Sequence, residues 1–259
     1  MQTYITTART DIGRVRSNNE DALLALNLPD GQHLWLVADG VAGRDAGELA
    51  SATSAAVFQR LAESGKLAAA RDADLATPLL AMAVQKAHVE VSRLAVESQQ
   101  QLSMSCTLTA ALATDARIDM VHVGDSRLYH LHAGELTQVT EDQTVARQLI
   151  KDGRLREDQL AEHPDRNTLS QSIGLESTEH PFTPAHYRIE VGPGDRLLLC
   201  SDGLSDLVPA PDIARLLRDA ADPEAAVEQL IAAALQAGGR DNITVIVVQA
   251  CREAALIPP

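Results

Sequence analysis

Acidic residues stand at the ends of apolar runs throughout this sequence. Leu34-Trp35-Leu36-Val37-Ala38 leads into Asp39-Gly40, Leu197-Leu198-Leu199-Cys200-Ser201 into Asp202-Gly203, and Met120-Val121-His122-Val123-Gly124 into Asp125. Glu20-Asp21 comes immediately before the apolar stretch 22–28, and Asp241-Asn242 before 243–248. If these stretches are strands paired antiparallel, the start of one lies beside the end of its neighbour, and the acids gather at one edge. Clustered carboxylates raise one another's pKa, a cost that hard divalent cations relieve. Donors that are all oxygen select Mg²⁺ or Mn²⁺, whereas Zn²⁺ favours His and Cys. Two such ions roughly 3.5 to 4 Å apart, sharing one Asp, can acidify a water and orient it for in-line attack on a phosphoryl group. The chemistry these residues could do is phosphoester hydrolysis.

Asp-Gly is also a strong hairpin signal, so each pair needs its context. Asp30-Gly31, between two expected strands, reads as a hairpin turn, and Asp152-Gly153, after a helical stretch, reads as a helix end. Asp39 and Asp202 differ because each closes a wholly apolar run, which has little need of an Asp unless the Asp does something.

The elements that must position these acids follow from periodicity. Strands are expected at 22–28, 34–38, 107–113, 118–123, 128–131, 188–191, 197–200 and 243–248. Helices are expected at 45–63 and at 79–97, where Leu80, Val84, Ala87, Val91 and Leu94 share one face. Another starts at the cap Asp222-Pro223-Glu224, carries the stripe Val227, Leu230, Ile231, Ala234 and Leu235, and stops at Gly238-Gly239. Strict alternation of strand and helix is absent, and the helices come in pairs. The pattern predicts an α+β fold: a central antiparallel β-sandwich flanked by helical layers on both sides, α-β-β-α. The polar stretch 141–184, with Pro164, Pro181 and Pro184, reads as an insertion or flap on a single domain spanning 1–259.

Composition narrows the partners. Across 259 residues, 22 Lys and Arg stand against 36 Asp and Glu, a net charge of −14, which argues against nucleic acid as a partner. No apolar run approaches the ~18 residues of a membrane span, and the N-terminus lacks a signal pattern, so a cytoplasmic protein without membrane contact is expected. Aromatic residues make up only 2%, so the core must be built from Ala, Leu, Val and Ile. Cys106, Cys200 and Cys251 read as buried thiols. None of the eight histidines pairs with another at ligand spacing; His130 and His132 share one face of a strand, and all eight read as structural or surface residues.

Taken in order, Thr10-Asp11-Ile12-Gly13, Arg16, Asn19-Glu20-Asp21, Val37-Ala38-Asp39-Gly40, Gly47-Glu48, Ala50-Ser51, Val123-Gly124-Asp125-Ser126-Arg127, His163-Pro164, Asn167, Gly174, Ser201-Asp202-Gly203-Leu204 and Asp241-Asn242 form a series of blocks. The series resembles the bacterial metal-dependent serine/threonine protein phosphatases of type 2C, the PPM family. The resemblance implies that Asp39 bridges two ions, Mn²⁺ or Mg²⁺, that Asp202 and Asp241 complete the first site, and that Glu20 and the Gly40 carbonyl complete the second. Asp21 belongs to the same metal-binding set, standing behind the ligands, and Asp125 with Asp202 resembles a looser third site. Arg16 is similar to the residue that grips the substrate phosphate, a task suited to a planar guanidinium that meets two oxygens at once.

The activity so implied is hydrolysis of phosphoserine and phosphothreonine on proteins by a metal-activated water, without a covalent phosphoenzyme. The implied partners are phosphoproteins made by a Ser/Thr kinase, and the expected unit is a monomer. Three departures from the family pattern stand out. Val41-Ala42-Gly43-Arg44 replaces the usual Met-Gly-Gly-His, so the loop is slightly bulkier and a histidine is missing, and Val41 stands where eukaryotic members place a His as leaving-group acid; His122 replaces a common Asn; and Gln171 replaces a frequent Arg. The altered loop leaves open an alternative, a non-catalytic phosphoprotein-binding or regulatory module on the same fold.

Overall fold

The computed structural model describes residues 2–41, 46–71, 73–99, 104–175 and 181–252. Its expected strands are apolar in both parities, as strands covered on both faces must be. Strands β1 (Gln2–Asp11), β2 (Asp21–Asn27), β3 (His33–Val41), β4 (Ser105–Cys106), β5 (Leu108–Thr114), β6 (Arg117–Val123), β7 (Arg127–His132), β8 (Glu135–Gln138), β9 (Ala185–Glu190), β10 (Arg196–Cys200) and β11 (Ile243–Arg252) form two sheets. One runs β1-β11-β10-β7-β8 and the other β2-β3-β5-β6-β9, with β4 added beside the end of β3. Every pairing is antiparallel.

The two parities of each strand feed different cores. Trp35, Val37, Met120, Leu197, Leu199 and Ile246 pack between the sheets. Leu34, Leu36 and Val121 point instead toward α1 (Ala46–Glu63) and α2 (Ala73–Glu97), where Phe58, Leu80 and Val84 meet them. On the far side, Leu198, Cys200, Val245 and Val247 face α5 (Ala210–Asp219) and α6 (Pro223–Gln236). The expected α-β-β-α layering is the observed one. With few aromatics, Trp35 is the bulkiest residue of the inner layer, set edge-on to Tyr4 at 5.3 Å and donating to Thr6 Oγ1 at 3.1 Å. Helix α6 begins as expected, with Asp222 accepting from Ala225 N at 2.8 Å and Pro223 in the first turn.

Some elements escape the sequence pattern. Strand β1 has no apolar run because it is a sheet edge; it is nonetheless paired over its whole length with β11. The short β4 and β8 were not expected either. Helix α2 starts six residues ahead of position 79 and carries Pro78 inside it. Asp30-Gly31 does join two antiparallel strands, within a single 3₁₀ turn in which Asp30 takes φ 64°. Asp152-Gly153 closes the helix α3 (Val145–Lys151), as expected, with Gly153 at φ 71°. Within 141–184 lie α3 and a 3₁₀ turn, Glu157–Glu162. Among the described residues, no helix is long and apolar enough to cross a membrane.

Candidate metal centre

The antiparallel register does what the sequence requires of it. Asp21 opens β2 and stands directly opposite Asp39 of β3. Asp202 follows β10 and opens the short helix α4 (Asp202–Ser205), Asp125 follows Gly124 between β6 and β7, and Asp241 precedes β11 by two residues. Close backbone contacts bring these ends together. A Cβ on Gly203 would lie 1.9 Å from the Asn242 carbonyl oxygen, so only glycine lets α4 press against the approach to β11. Gly13 takes φ +79°, and a Cβ there would sit 2.3 Å from the Asp241 carbonyl oxygen.

Asn242 is the clamp of this corner. Its side chain accepts from Glu20 N at 2.8 Å and donates to the carbonyls of Ile12 at 3.0 Å and Asn18 at 2.9 Å. It thereby holds the loop that carries Arg16 and Glu20. The Glu20 carbonyl in turn accepts from Gly40 N at 3.1 Å and Ser51 Oγ at 2.6 Å, while Asp39 N donates to Thr107 Oγ1 at 3.0 Å.

The resulting cluster is electrostatically expensive. Burial pushes Asp39 well above the usual carboxylate range, and the charges of Asp21, Asp202 and Asp125 push further. Burial lifts Asp202 to about 7, with Asp206 and Asp241 adding to it. Asp21 rises to about 6 by burial, although hydroxyls of Thr244 at 2.6 Å and Ser201 at 2.8 Å donate to its Oδ2 and oppose the rise. Asp125 is raised by burial, then by Asp202, Asp142 and Asp206, against the pull of Arg127. Yet Asp21 Oδ1 and Asp202 Oδ1 are buried with no hydrogen-bond partner. An orphaned buried acceptor costs about 1–3 kcal/mol, and a charged one more. Converging carboxylates with orphaned oxygens and only oxygen donors fit hard divalent cations.

Arg16 borders the same cluster. Its Nη2 donates to Asp241 Oδ2 at 2.6 Å. Partial burial works against its charge, but Asp241, Glu20 and Asp39 outweigh that and raise its pKa. On the other flank a cavity of about 310 Å³ is lined by Asp125, Asp202 and Asp206 together with Arg127, Arg147 and Arg166.

Asp142 and Asp206 were not singled out by the sequence. Asp142 receives a two-pronged bond from Arg127, Nε to Oδ1 at 2.9 Å and Nη2 to Oδ2 at 2.6 Å. Asp206 accepts from Asn167 Nδ2 at 2.5 Å. A usable signal existed for Asp206, which lies one helical turn after Asp202; Asp142 sits in a polar loop that carries none.

The departures from the family pattern land in different places. His122 is fully buried, with Nδ1 2.9 Å from Thr109 Oγ1 and Nε2 3.1 Å from the Glu141 carbonyl, and burial lowers its pKa to about 4. Gln171 accepts from Thr183 N at 3.0 Å and donates to the Pro181 carbonyl at 3.2 Å, tying the 141–184 stretch to itself. Val41 is exposed at the end of β3; Ala42, Gly43 and Arg44 lie outside the described residues.

A sandwich that collects carboxylates at the ends of its strands defines a class, and comparison with known proteins agrees. The model of the protein phosphatase 2C family matches residues 13–237, and the chain belongs to that family. The serine/threonine protein phosphatase PstP of Mycobacterium tuberculosis is 39% identical over 244 residues, 93% of this chain but 44% of PstP, so the chain spans less than half of that relative. The serine/threonine phosphatase stp of Listeria monocytogenes is 32% identical over 93% of this chain and 94% of its own length. The crystal structure of the PstP catalytic domain in complex with two manganese ions superposes with a TM-score of 0.81 at 32% identity, covering 97% of this chain and 100% of that one.

Proposed function

We propose that this chain hydrolyses phosphoserine and phosphothreonine on proteins at the carboxylate cluster, with Mn²⁺ or Mg²⁺ as cofactor. The observation that carries this reading is the convergence of Asp21, Asp39 and Asp202, half-buried and mutually repelling, with one buried oxygen of Asp21 and one of Asp202 left without a partner. Asp39 would be shared between two ions, Asp202 and Asp241 would complete one site, and Glu20 with the Gly40 carbonyl the other; Asp125 with Asp202 would hold a third. What such ions supply when bound is a water of lowered pKa and neutralisation of charge on the phosphoryl group.

The chain's own residues do the rest. Ser201 and Thr244 fix Asp21 behind the cluster, and Asn242 fixes the backbone that presents Glu20. Arg16 spends its guanidinium on Asp241. With Asp241 serving as a metal ligand, the Arg16 guanidinium would be free to meet a phosphate, whose oxygens match its fork. The working unit so proposed is a monomer. Substrates would be phosphoproteins made by a Ser/Thr kinase, and the free thiols Cys106, Cys200 and Cys251 suit the cytoplasm as the place of action. The whole chain would act as one domain, with 141–184 beside the cleft as its flap.

The test is manganese-dependent hydrolysis of p-nitrophenyl phosphate and of a phosphothreonine peptide by wild type and Asp202→Ala. Turnover lost in the variant supports the reading. No turnover in wild type, or equal turnover in both, favours a non-catalytic module.

A further inference from the structure

At the end of the sandwich away from the carboxylate cluster, two histidines and an aspartate meet. His130 and His132 lie two apart on β7, and a strand's period of two puts both on one face. Asp195 immediately precedes β10, whose register sets Arg196 against Leu131 and so places Asp195 next to His132 across the pair. Two segments far apart in sequence thus deliver two imidazoles and a carboxylate to one edge. His130 Nε2 lies 2.9 Å from Asp195 Oδ2, and His132 Nδ1 lies 2.8 Å from Asp195 Oδ1. All three donor atoms fall within 4.8 Å of one another.

Asp195 is itself held in place. Gly192 N donates to its Oδ2 at 2.8 Å, and its backbone exchanges bonds with Gly192 and with Ala250 of β11. The His130 and Asp195 side chains are 15% and 7% exposed, whereas that of His132 is 68% exposed, so the trio is a fixed pair with one ring that water and ions can reach. Glu135 is the cross-strand neighbour of His132 on its other side, within the separation at which side chains interact.

We infer that His130, His132 and Asp195 form a second cation site, distinct from the phosphatase centre, that takes a borderline transition ion such as Zn²⁺. The donor set decides the class: imidazole nitrogens with one carboxylate suit Zn²⁺, whereas Mg²⁺ and Mn²⁺ prefer the all-oxygen end. Bonds of about 2.0–2.1 Å to three donors ask for donor separations of about 3.3–3.5 Å. The exposed ring of His132 can close the remaining difference by turning. Without an ion, Asp195 keeps both rings aimed at one point by hydrogen bonds; with one, the same carboxylate becomes a ligand. Water, or Glu135, fills the fourth position.

Zinc bound per chain is counted by equilibrium dialysis in excess Mn²⁺, for wild type and for His132→Asn. The asparagine amide can still donate to Asp195, so a purely structural trio survives the change. The expected result is one zinc fewer in the variant, with manganese-dependent hydrolysis unchanged within about twofold. A second readout on wild type alone guards against misfolding: substoichiometric Zn²⁺ should shift the ¹⁵N resonances of the His130 and His132 rings. Equal zinc counts, or ring resonances that do not move, overturn the site. Both readouts hold whether or not the chain turns over phosphoesters.

Discussion

Strands β7 and β10 run side by side between two very different ends of this molecule. At one end, Asp125 precedes β7 and Asp202 follows β10, in a group made of carboxylates. At the other, the same two strands carry His130, His132 and Asp195. The contrast lies in how negative charge is answered. Asp195 takes two imidazoles and a backbone N–H, leaving its oxygens satisfied. Nearer that end, Asp119 has a fully buried side chain gripped by Arg117 Nε at 2.7 Å and Arg188 Nε at 2.6 Å. The acid cluster has Arg16 at its margin and Arg127 turned to Asp142, yet two of its buried oxygens have no partner. Asp119 is answered by two guanidinium groups, Asp195 by imidazoles and a backbone N–H, and the orphaned oxygens of Asp21 and Asp202 by no hydrogen-bond donor.

Substitutions should separate the ends. The largest effect is expected from Asp39→Asn, which should lower manganese-dependent kcat/KM by about three orders of magnitude, roughly 4 kcal/mol. Asp195→Asn, in the same assay, should change it by no more than about twofold. Comparable losses from both would mean that the ends are not independent.

His122 sharpens the contrast through pH. It is buried neutral near the acid end, with its folded pKa lowered to about 4 from an ordinary value near 6.5. Below pH 6.5 the unfolded chain takes up a proton that the folded chain refuses, so stability falls as pH drops toward 4, by about 3 kcal/mol in all. The raised carboxylates act in the opposite direction over the same range, because the folded state binds their protons more tightly. The measurement is therefore the difference in urea-unfolding free energy between wild type and His122→Asn at pH 7 and pH 5. The wild type should lose more stability than the variant; parallel curves would count against a neutral buried ring.

Removing a satisfied carboxylate should cost stability and not chemistry. Asp119→Ala leaves Arg117 and Arg188 without their shared partner, both of them partly exposed, and should cost about 2 kcal/mol by denaturant titration. Its manganese-dependent turnover should match wild type at a temperature where both are folded. Smallest of all, Arg16→Ala should reduce kcat/KM on a phosphopeptide by about tenfold, some 1.4 kcal/mol. Arg16→Lys should recover little of it, since an ammonium cannot make a two-pronged bond to phosphate. Full recovery by lysine would reduce Arg16 to a simple charge.

How far the sequence could be read depended on whether a residue's partner was near in chain or only near in space. Apolar runs with both parities buried announced β3, β5, β6, β10 and β11, because a strand covered on both faces has no alternative composition. β1 was silent for the converse reason: an edge strand of Thr, Arg and Gln needs no apolar run, and its pairing with β11 joins the two ends of the chain. The same distinction divides the sites. Asp39, Asp125 and Asp202 were visible because each interrupts or follows an apolar run, a local anomaly. Asp142 was not, because its two-pronged bond comes from Arg127, which the β7–β8 hairpin brings beside it.

The sequence alone determined which side chains could bind metal, which runs must be strands, and that helices must cover both sheets, since these depend on residue type and local period. Only the tertiary structure decided which donors share a point in space. It set Asp21 against Asp39 by register, turned Arg16 to Asp241, and brought Asp195 to two histidines that the linear pattern leaves as ordinary surface. The physical reason is that a carboxylate's pKa, and its choice of partner, are set by charges and burial within a few ångströms, which antiparallel pairing assembles from distant stretches of chain.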